Sequence, residues 1–276
     1  MESAAREAGA LARAAFGGRM KTFTKSDASP VTEIDLAIDT LLKERLCAAR
    51  PDYGWLSEET ADNPARLAQA RVFIVDPIDG TRAFIKALPE FCISIGLAEN
   101  GRAALGCVYN PILDEMFVGG EGAPATRNGA PIAASKRAAL EGARMSGKGD
   151  IYASPRWPTP WPAMHFTWRH SIAYRLALIA AGEFDGAVMF GYKNEWDTIA
   201  GAAILAAAGG AVTDLSGAPL RFNQADPRAA GCIASGGPLH AELTARLAHV
   251  AKLEDWTRFW KQIVNAPADA DKEAKP

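Results

Sequence analysis

Val75-Asp76-Pro77-Ile78-Asp79-Gly80-Thr81 is the stretch on which this chain's fold turns. Residues 71–75 (RVFIV) are a short apolar run rich in β-branched residues, the pattern of a buried strand. That strand runs straight into two aspartates three positions apart. Pro77 restricts φ and Gly80 permits angles closed to other residues, so the turn can aim both carboxylates at one point. The Ile78 carbonyl lies between them, and hard cations such as Mg²⁺ take oxygen clusters of this kind. Thr81 opens a short helix, whose free N–H groups attract phosphate. A capped turn with two solvated aspartates is the plainer alternative.

Other acidic residues strengthen the first reading. Glu58 and Glu59 follow the apolar pair Trp55-Leu56, where a solvated loop would also be ordinary. Asp197, just before Thr198, stands where a helix N-cap would be. Asp35 pairs with Thr32 as a capping box, and Ile34, Ile38, Leu41 and Leu42 continue that helix until Pro51. Each signal is weak singly; their company around residues 76–81 gives them weight.

The rest of the chain supplies the frame. Residues 1–18 read as a helix closed by Gly17-Gly18. Residues 92–98 and 103–109 are strand-like around the turn signal Asn100-Gly101, and residues 115–119 return after a turn at 111–114. Residues 154–168 hold four prolines and three tryptophans, which suits an irregular loop. Residues 171–181 and 198–208 read as Ala-rich helices with a strand between them, and 211–222 as a hairpin around Ser216-Gly217. This order predicts an α+β unit over residues 1–138, an α/β unit over 139–265, and a frayed tail over 266–276.

Composition narrows the functional classes. Of 276 residues, 49% are apolar and 22% charged, so an ordinary globular core is expected. Thirty basic against thirty-two acidic residues leave a formal charge of −2, which disfavours a nucleic acid polymer as partner. No apolar run reaches membrane-spanning length, and charges interrupt the first sixteen residues, so a cytoplasmic protein without membrane contact is expected. Cys47, Cys92, Cys107 and Cys232 are scattered and read as core thiols, and the four histidines make no zinc pattern. Residues 142–149 (GARMSGKG) nearly spell a nucleotide-binding loop but lack its final Ser or Thr; they read as a substrate-side loop or a link between units.

WLSEET (55–60), VDPIDGTRAF (75–84) and EWDTIAGAAILAAAGG (195–210) together resemble the inositol monophosphatase superfamily of Mg²⁺-dependent, lithium-sensitive phosphomonoesterases. The resemblance runs from about Lys25 to Phe222. It implies a layered α/β/α/β/α sandwich, a homodimer, and hydrolysis of a small phosphate ester by metal-activated water. It also implies that Glu58, Asp76 and the Ile78 carbonyl hold a first Mg²⁺, and that Asp76, Asp79 and Asp197 hold a second. Glu58 would touch a third, weaker ion. Asp35 would bond to Thr81, the pair orienting and deprotonating the water. Gly80 and Thr81 with Asp79, Asp197, Ser171 and Arg175 would line the substrate.

Within the superfamily, KSDASPVTEID (25–35), Arg82 after DGT, YNPILDEMF (109–117) and WDTIAG (196–201) resemble the 3'(2'),5'-bisphosphate nucleotidases, which convert 3'-phosphoadenosine 5'-phosphate to AMP. Arg175 falls where that branch carries a basic residue, though an ion-paired surface role is the ordinary one for such a residue. Inositol-specific members carry a glutamate where Met189 or Phe190 stands here. An inositol 1-phosphate, sugar or polyol phosphatase remains the runner-up, with a catalytically silent anion-binding relative as the alternative of another class. The tryptophans of residues 157–168 could stack a base, form a dimer contact or cover a core.

Overall fold

In the computed structural model of the protein, which describes residues 1–25, 29–248 and 250, the Ala-rich start forms helix α1 (Glu2–Ala15). The tail expected over 266–276 lies outside the described residues. A small hairpin of β1 (Thr22–Thr24) and β2 (Pro30–Thr32) leads into α2 (Glu33–Ala49). The capping box forms as read: Thr32 Oγ1 accepts from the Ile34 and Asp35 amides, and the Asp35 carboxylate accepts from the Thr32 amide.

The apolar run is longer as a strand than its sequence suggests. β4 (Arg71–Asp79) continues through both aspartates, parallel to β3 (Gly54–Ser57), before the short helix α3 (Thr81–Ile85). A meander follows: β5 (Cys92–Glu99), β6 (Arg102–Asn110), β7 (Glu115–Gly120), β8 (Ala123–Arg127) and β9 (Ala130–Pro131). Together β3 to β9 make a seven-stranded sheet in sequence order, antiparallel from β4 onward. Asn100 and Gly101 turn between β5 and β6 with φ of 50° and 77°, the left-handed pair that a two-residue hairpin needs.

The second sheet departs further from expectation. Its elements are β10 (Arg144–Ser146), β11 (His165–Thr167), α4 (Ile172–Ala180), β12 (Gly186–Asn194), α5 (Glu195–Ala207), β13 (Gly210–Thr213), β14 (Arg228–Gly236) and α6 (Gly237–Leu247). The strand order is β11-β10-β12-β14-β13. The Pro/Trp segment therefore ends in a strand, β11, paired parallel to β10. No hairpin spans 211–222: a bridge from Thr213 to Pro219 closes that turn, while β13 takes its ladder from β14, a strand the sequence did not reveal. α5 begins at Glu195, so Asp197 is its third residue and Asn194 the cap.

The layers are helix, sheet, helix, sheet, helix, as the resemblance implied. α1 and α2 cover the outer face of the large sheet, α4 and α5 lie between the sheets, and α6 covers the outer face of the second. Three of the four cysteines are buried and all four are free. No helix among the described residues is long and apolar enough to cross a membrane.

One close approach fixes the middle layer. A Cβ at Gly106 would sit 2.0 Å from the Ala200 carbonyl oxygen, and one at Gly96 2.3 Å from Ile199 Cγ2. Only bare backbone on β5 and β6 lets α5 rest this near the sheet. Its first turn is held there too, because Ser94 Oγ on β5 donates to the Trp196 carbonyl at 3.1 Å. Gly106→Ala should cost roughly 1–3 kcal/mol, since backbone cannot yield as a side chain does. A lowered Tm without change of fold class checks this; an unchanged Tm would mean the helix can lift without penalty.

Candidate active site

The end of β4 is irregular in a useful way. Asp76 opposes Ser94 and Asp79 opposes Cys92, so Pro77 and Ile78 together face Ile93 alone. This one-residue bulge breaks the strand's alternation. The Ile78 amide donates to Asp76 Oδ1 at 3.0 Å, fixing that carboxylate. Gly80 follows at φ 101°, where a Cβ would also stand 3.0 Å from the Glu90 carbonyl oxygen. The Thr81 hydroxyl lies 3.2 Å from both Asp35 Oδ1 and the Ile78 carbonyl oxygen, sharing its one proton between them. Asp35 is thus both cap partner of Thr32 and hydrogen-bond partner of Thr81.

The sequence-predicted acids converge. One carboxylate oxygen each from Asp76, Asp79 and Asp197 lies within 4.8 Å of the others. Asp79 Oδ2 accepts from Ser171 Oγ at 2.7 Å and from the Ala173 amide at 2.5 Å, which ties it to the first turn of α4. Asp197 Oδ2 accepts from the Asn194 amide at 3.0 Å. Glu58, just past β3, lies close enough to Asp76 to act on its carboxyl. Its carboxylate and that of Glu59 each accept from Lys25 Nζ at 2.7 Å. Nothing local in the sequence marks Lys25 for this role, because its partners lie over thirty residues away and only the fold brings them together.

Asp76 and Asp79 are buried and Asp197 is half-buried. Burial pushes Asp76 and Asp197 well above the usual carboxylate range, and their acidic neighbours, Glu58 and Asp79 among them, push further. Burial lifts Asp79 to about 6, restrained by the Ser171 and Ala173 hydrogen bonds and by Arg175. Burial likewise lifts Glu59 to about 7 despite Lys25, and Glu195 to about 7 despite the Gln224 and Asn223 amides. Lys25 loses to burial but gains more from Glu58 and Glu59, so its ammonium is held charged. An all-oxygen cluster of mutually repelling carboxylates fits a hard divalent cation.

Beside the cluster lies a chamber of about 340 Å³, lined in part by Lys148, Tyr152, Trp168, Arg175, Met189, Phe190 and Lys193. Arg175 stands one turn beyond Ser171 on α4 and is only 5% exposed, with its Nε 3.4 Å from the Ser171 carbonyl oxygen. It is therefore not the solvated helix residue that its type suggests. Its guanidinium lies 4.7 Å from the Trp168 ring centre, and Lys148 Nζ lies 5.2 Å from the same centre. Residues 147 and 148 of the near-miss nucleotide loop thus face the chamber. The three tryptophans separate: Trp157 is buried with its Nε1 donating to the Ile151 carbonyl, and Trp161 packs edge-on against Tyr152 and Trp157. Trp168 alone of the three lines the chamber.

The chain matches the inositol monophosphatase family over residues 1–253. It is 34% identical over 227 residues to the 3'(2'),5'-bisphosphate nucleotidase CysQ of Escherichia coli (strain K12), covering 79% of this chain and 90% of that protein. It is 32% identical over 225 residues to inositol monophosphatase 1 of Solanum lycopersicum, covering 78% of this chain and 82% of that one. The structure aligns with Thermotoga maritima IMPase at a TM-score of 0.76 and 30% identity, over 91% of this chain and 96% of that chain.

The raised carboxyls have a consequence for stability. Each binds its proton more tightly folded than unfolded, so its contribution is complete below the unfolded values near 4 and is lost as pH rises through the folded values. His240, pulled down by burial, works the other way. The metal-free protein in EDTA should lose Tm between pH 5 and pH 8, and saturating Mg²⁺ should restore much of it at pH 8. A Tm that is flat or rising over that range in EDTA would contradict the assignment.

Proposed function

The chain belongs to the inositol monophosphatase family and is a phosphoric monoester hydrolase, and from that premise we propose that its substrate is a 3'(2'),5'-bisphosphate nucleotide. The observation that carries this reading is Arg175. A buried guanidinium is costly unless an anion meets it; Asp79 supports this one only from a distance, and among the described residues no carboxylate forms a salt bridge with Arg175. It opens into a chamber walled by Trp168, Tyr152 and Phe190. A second phosphate would satisfy the cation, and a nucleobase would find aromatic faces. The apolar Met189 and Phe190 offer nothing to the hydroxyls of inositol, which weighs against a dedicated inositol phosphatase.

Asp76, Asp79 and Asp197, with Glu58 and the Ile78 carbonyl, would hold two Mg²⁺ ions, with a third and weaker one at Glu58. Bound there, Mg²⁺ neutralises phosphoryl oxygens and makes water more acidic. The chain's own groups do the rest. Thr81, donating to Asp35 Oδ1, keeps lone pairs free to accept a hydrogen bond from the attacking water. Asp35, lifted by burial against the hydrogen bonds from Thr32, is a stronger base than a surface aspartate and takes the proton through Thr81. Ser171 fixes Asp79, and α4 then sets Arg175 one turn away, which spaces the scissile phosphate from the second one.

The test is kcat/KM at saturating Mg²⁺ for 3'-phosphoadenosine 5'-phosphate beside inositol 1-phosphate. A clear preference for the nucleotide is expected; a preference for inositol 1-phosphate would overturn the reading. Arg175→Met should lower kcat/KM for the bisphosphate about 10- to 100-fold, the size of a lost charged hydrogen bond, while p-nitrophenyl phosphate stays within about twofold. Asp197→Asn should lower kcat by orders of magnitude for every substrate, and near wild-type turnover in the folded variant would remove Asp197 from the ligand set.

A further inference from the structure

One turn beyond Asp35 on α2, and on the same helix face, stands Asp39. It is buried, with 7% exposure, and it belongs to no feature so far described. Its Oδ1 accepts from Ser57 Oγ at 2.5 Å, and its Oδ2 accepts from Thr60 Oγ1. Ser57 and Thr60 are the two ends of the segment Ser57-Glu58-Glu59-Thr60. Ser57 Oγ also receives the Glu59 amide at 3.4 Å, and the Glu58 amide donates to the Val75 carbonyl at 3.2 Å. A single carboxylate therefore clasps both ends of the loop that presents Glu58 and Glu59.

We propose that Asp39 is a positioning residue for the metal site, holding the Ser57–Thr60 loop so that Glu58 faces Asp76. Two consecutive glutamates brought close to Asp76 and Asp35 are repelled, and a free loop would swing them into water. Lys25 offsets part of that repulsion at the carboxylates, while the two oxygens of Asp39 anchor the two ends of the backbone segment that carries them. The pairing also explains why one more buried carboxylate is tolerated near so many others: two hydroxyl donors keep it satisfied. α2 then acts as a ruler. Asp35 locates the Thr81 turn from one rung, Asp39 locates the Glu58 loop from the next, and the helical rise fixes the distance between the two. Asp39 touches no reacting atom in this account and works through Glu58.

The inference rests on Glu58 as a metal ligand, and the experiment separates the two. Mg²⁺ binding to the metal-free protein is measured by isothermal titration calorimetry for wild type, Glu58→Gln, Asp39→Ala, Thr60→Val and Thr60→Ser, with circular dichroism as the fold control. Asp39→Ala should weaken Mg²⁺ binding about 10- to 100-fold, as loss of an outer-shell partner does. Thr60→Val, which removes one donor at nearly constant volume, should weaken it less, and Thr60→Ser should restore it. A folded Asp39→Ala that binds Mg²⁺ within twofold of wild type while Glu58→Gln is impaired would overturn the positioning role alone. If Glu58→Gln binds normally, the ligand reading beneath it fails. Should Asp39→Ala not fold, Thr60→Val decides: unchanged Mg²⁺ affinity there overturns the proposal. A residue of merely structural importance would lower Tm in EDTA and leave Mg²⁺ affinity where it was.

Discussion

Three carboxylates brought together away from water repel one another, and most of the molecule serves to hold them there. Asp76 and Asp79 come from one strand, made to converge by a bulge. Asp197 comes from a helix pressed onto the same sheet through glycines at positions 96 and 106. Without bare backbone on β5 and β6, α5 would ride higher and Asp197 would leave the cluster. Backbone amides of Ile78, Ala173 and Asn194 each donate to one of the three, so the fold offsets the repulsion with fixed dipoles where it cannot supply bulk charge.

The charge pattern around the cluster is divided. On the Glu58 side a single ammonium, Lys25, bridges two glutamates. On the far side Arg175 and Lys148 gather about Trp168. Lys193 is different in kind: its Nζ donates to the Phe190, Gly191 and Tyr192 carbonyls, so it seals the irregularity in β12 and is not free to bind elsewhere. An acidic pocket that favours cations therefore adjoins a cationic chamber that favours anions. The two regions meet at α4, where Ser171 holds Asp79 and Arg175 faces the chamber.

Sequence reading found the acids because their spacing is local. Asp76, Asp79 and Gly80 sit in one turn, and Thr32 with Asp35 is a capping box that any helix start can display. It recovered the layered architecture from the motifs of the resemblance and the hairpin at Asn100-Gly101 from its turn chemistry. It misplaced the start of α5, because Asp197 looks like a cap when Asn194 two residues upstream of Trp196 is overlooked. It did not find β14, since residues 228–236 are small and unpatterned and gain strand identity only from β12 and β13. Lys25 carried no signal because its partners are distant along the chain, and the base-stacking option for the tryptophans could not be assigned to one of them because only the fold places Trp168 at the cavity. The tryptophans show this well, because three identical side chains in one segment take three different environments.

The chamber walls and the carboxylates occupy different parts of the fold. β4, α2 and the start of α5 carry the acids, whereas residues 147–152, Trp168 and the middle of β12 line the chamber. Arg175 and Ser171, on one turn of α4, are where the two meet. Substitutions at Met189, Phe190 or Trp168 can therefore reshape what enters without moving an oxygen of the acidic cluster. Such a plan is modular: the wall of the chamber can be rebuilt a residue at a time while the strand bulge and helix start that hold the acids stay fixed.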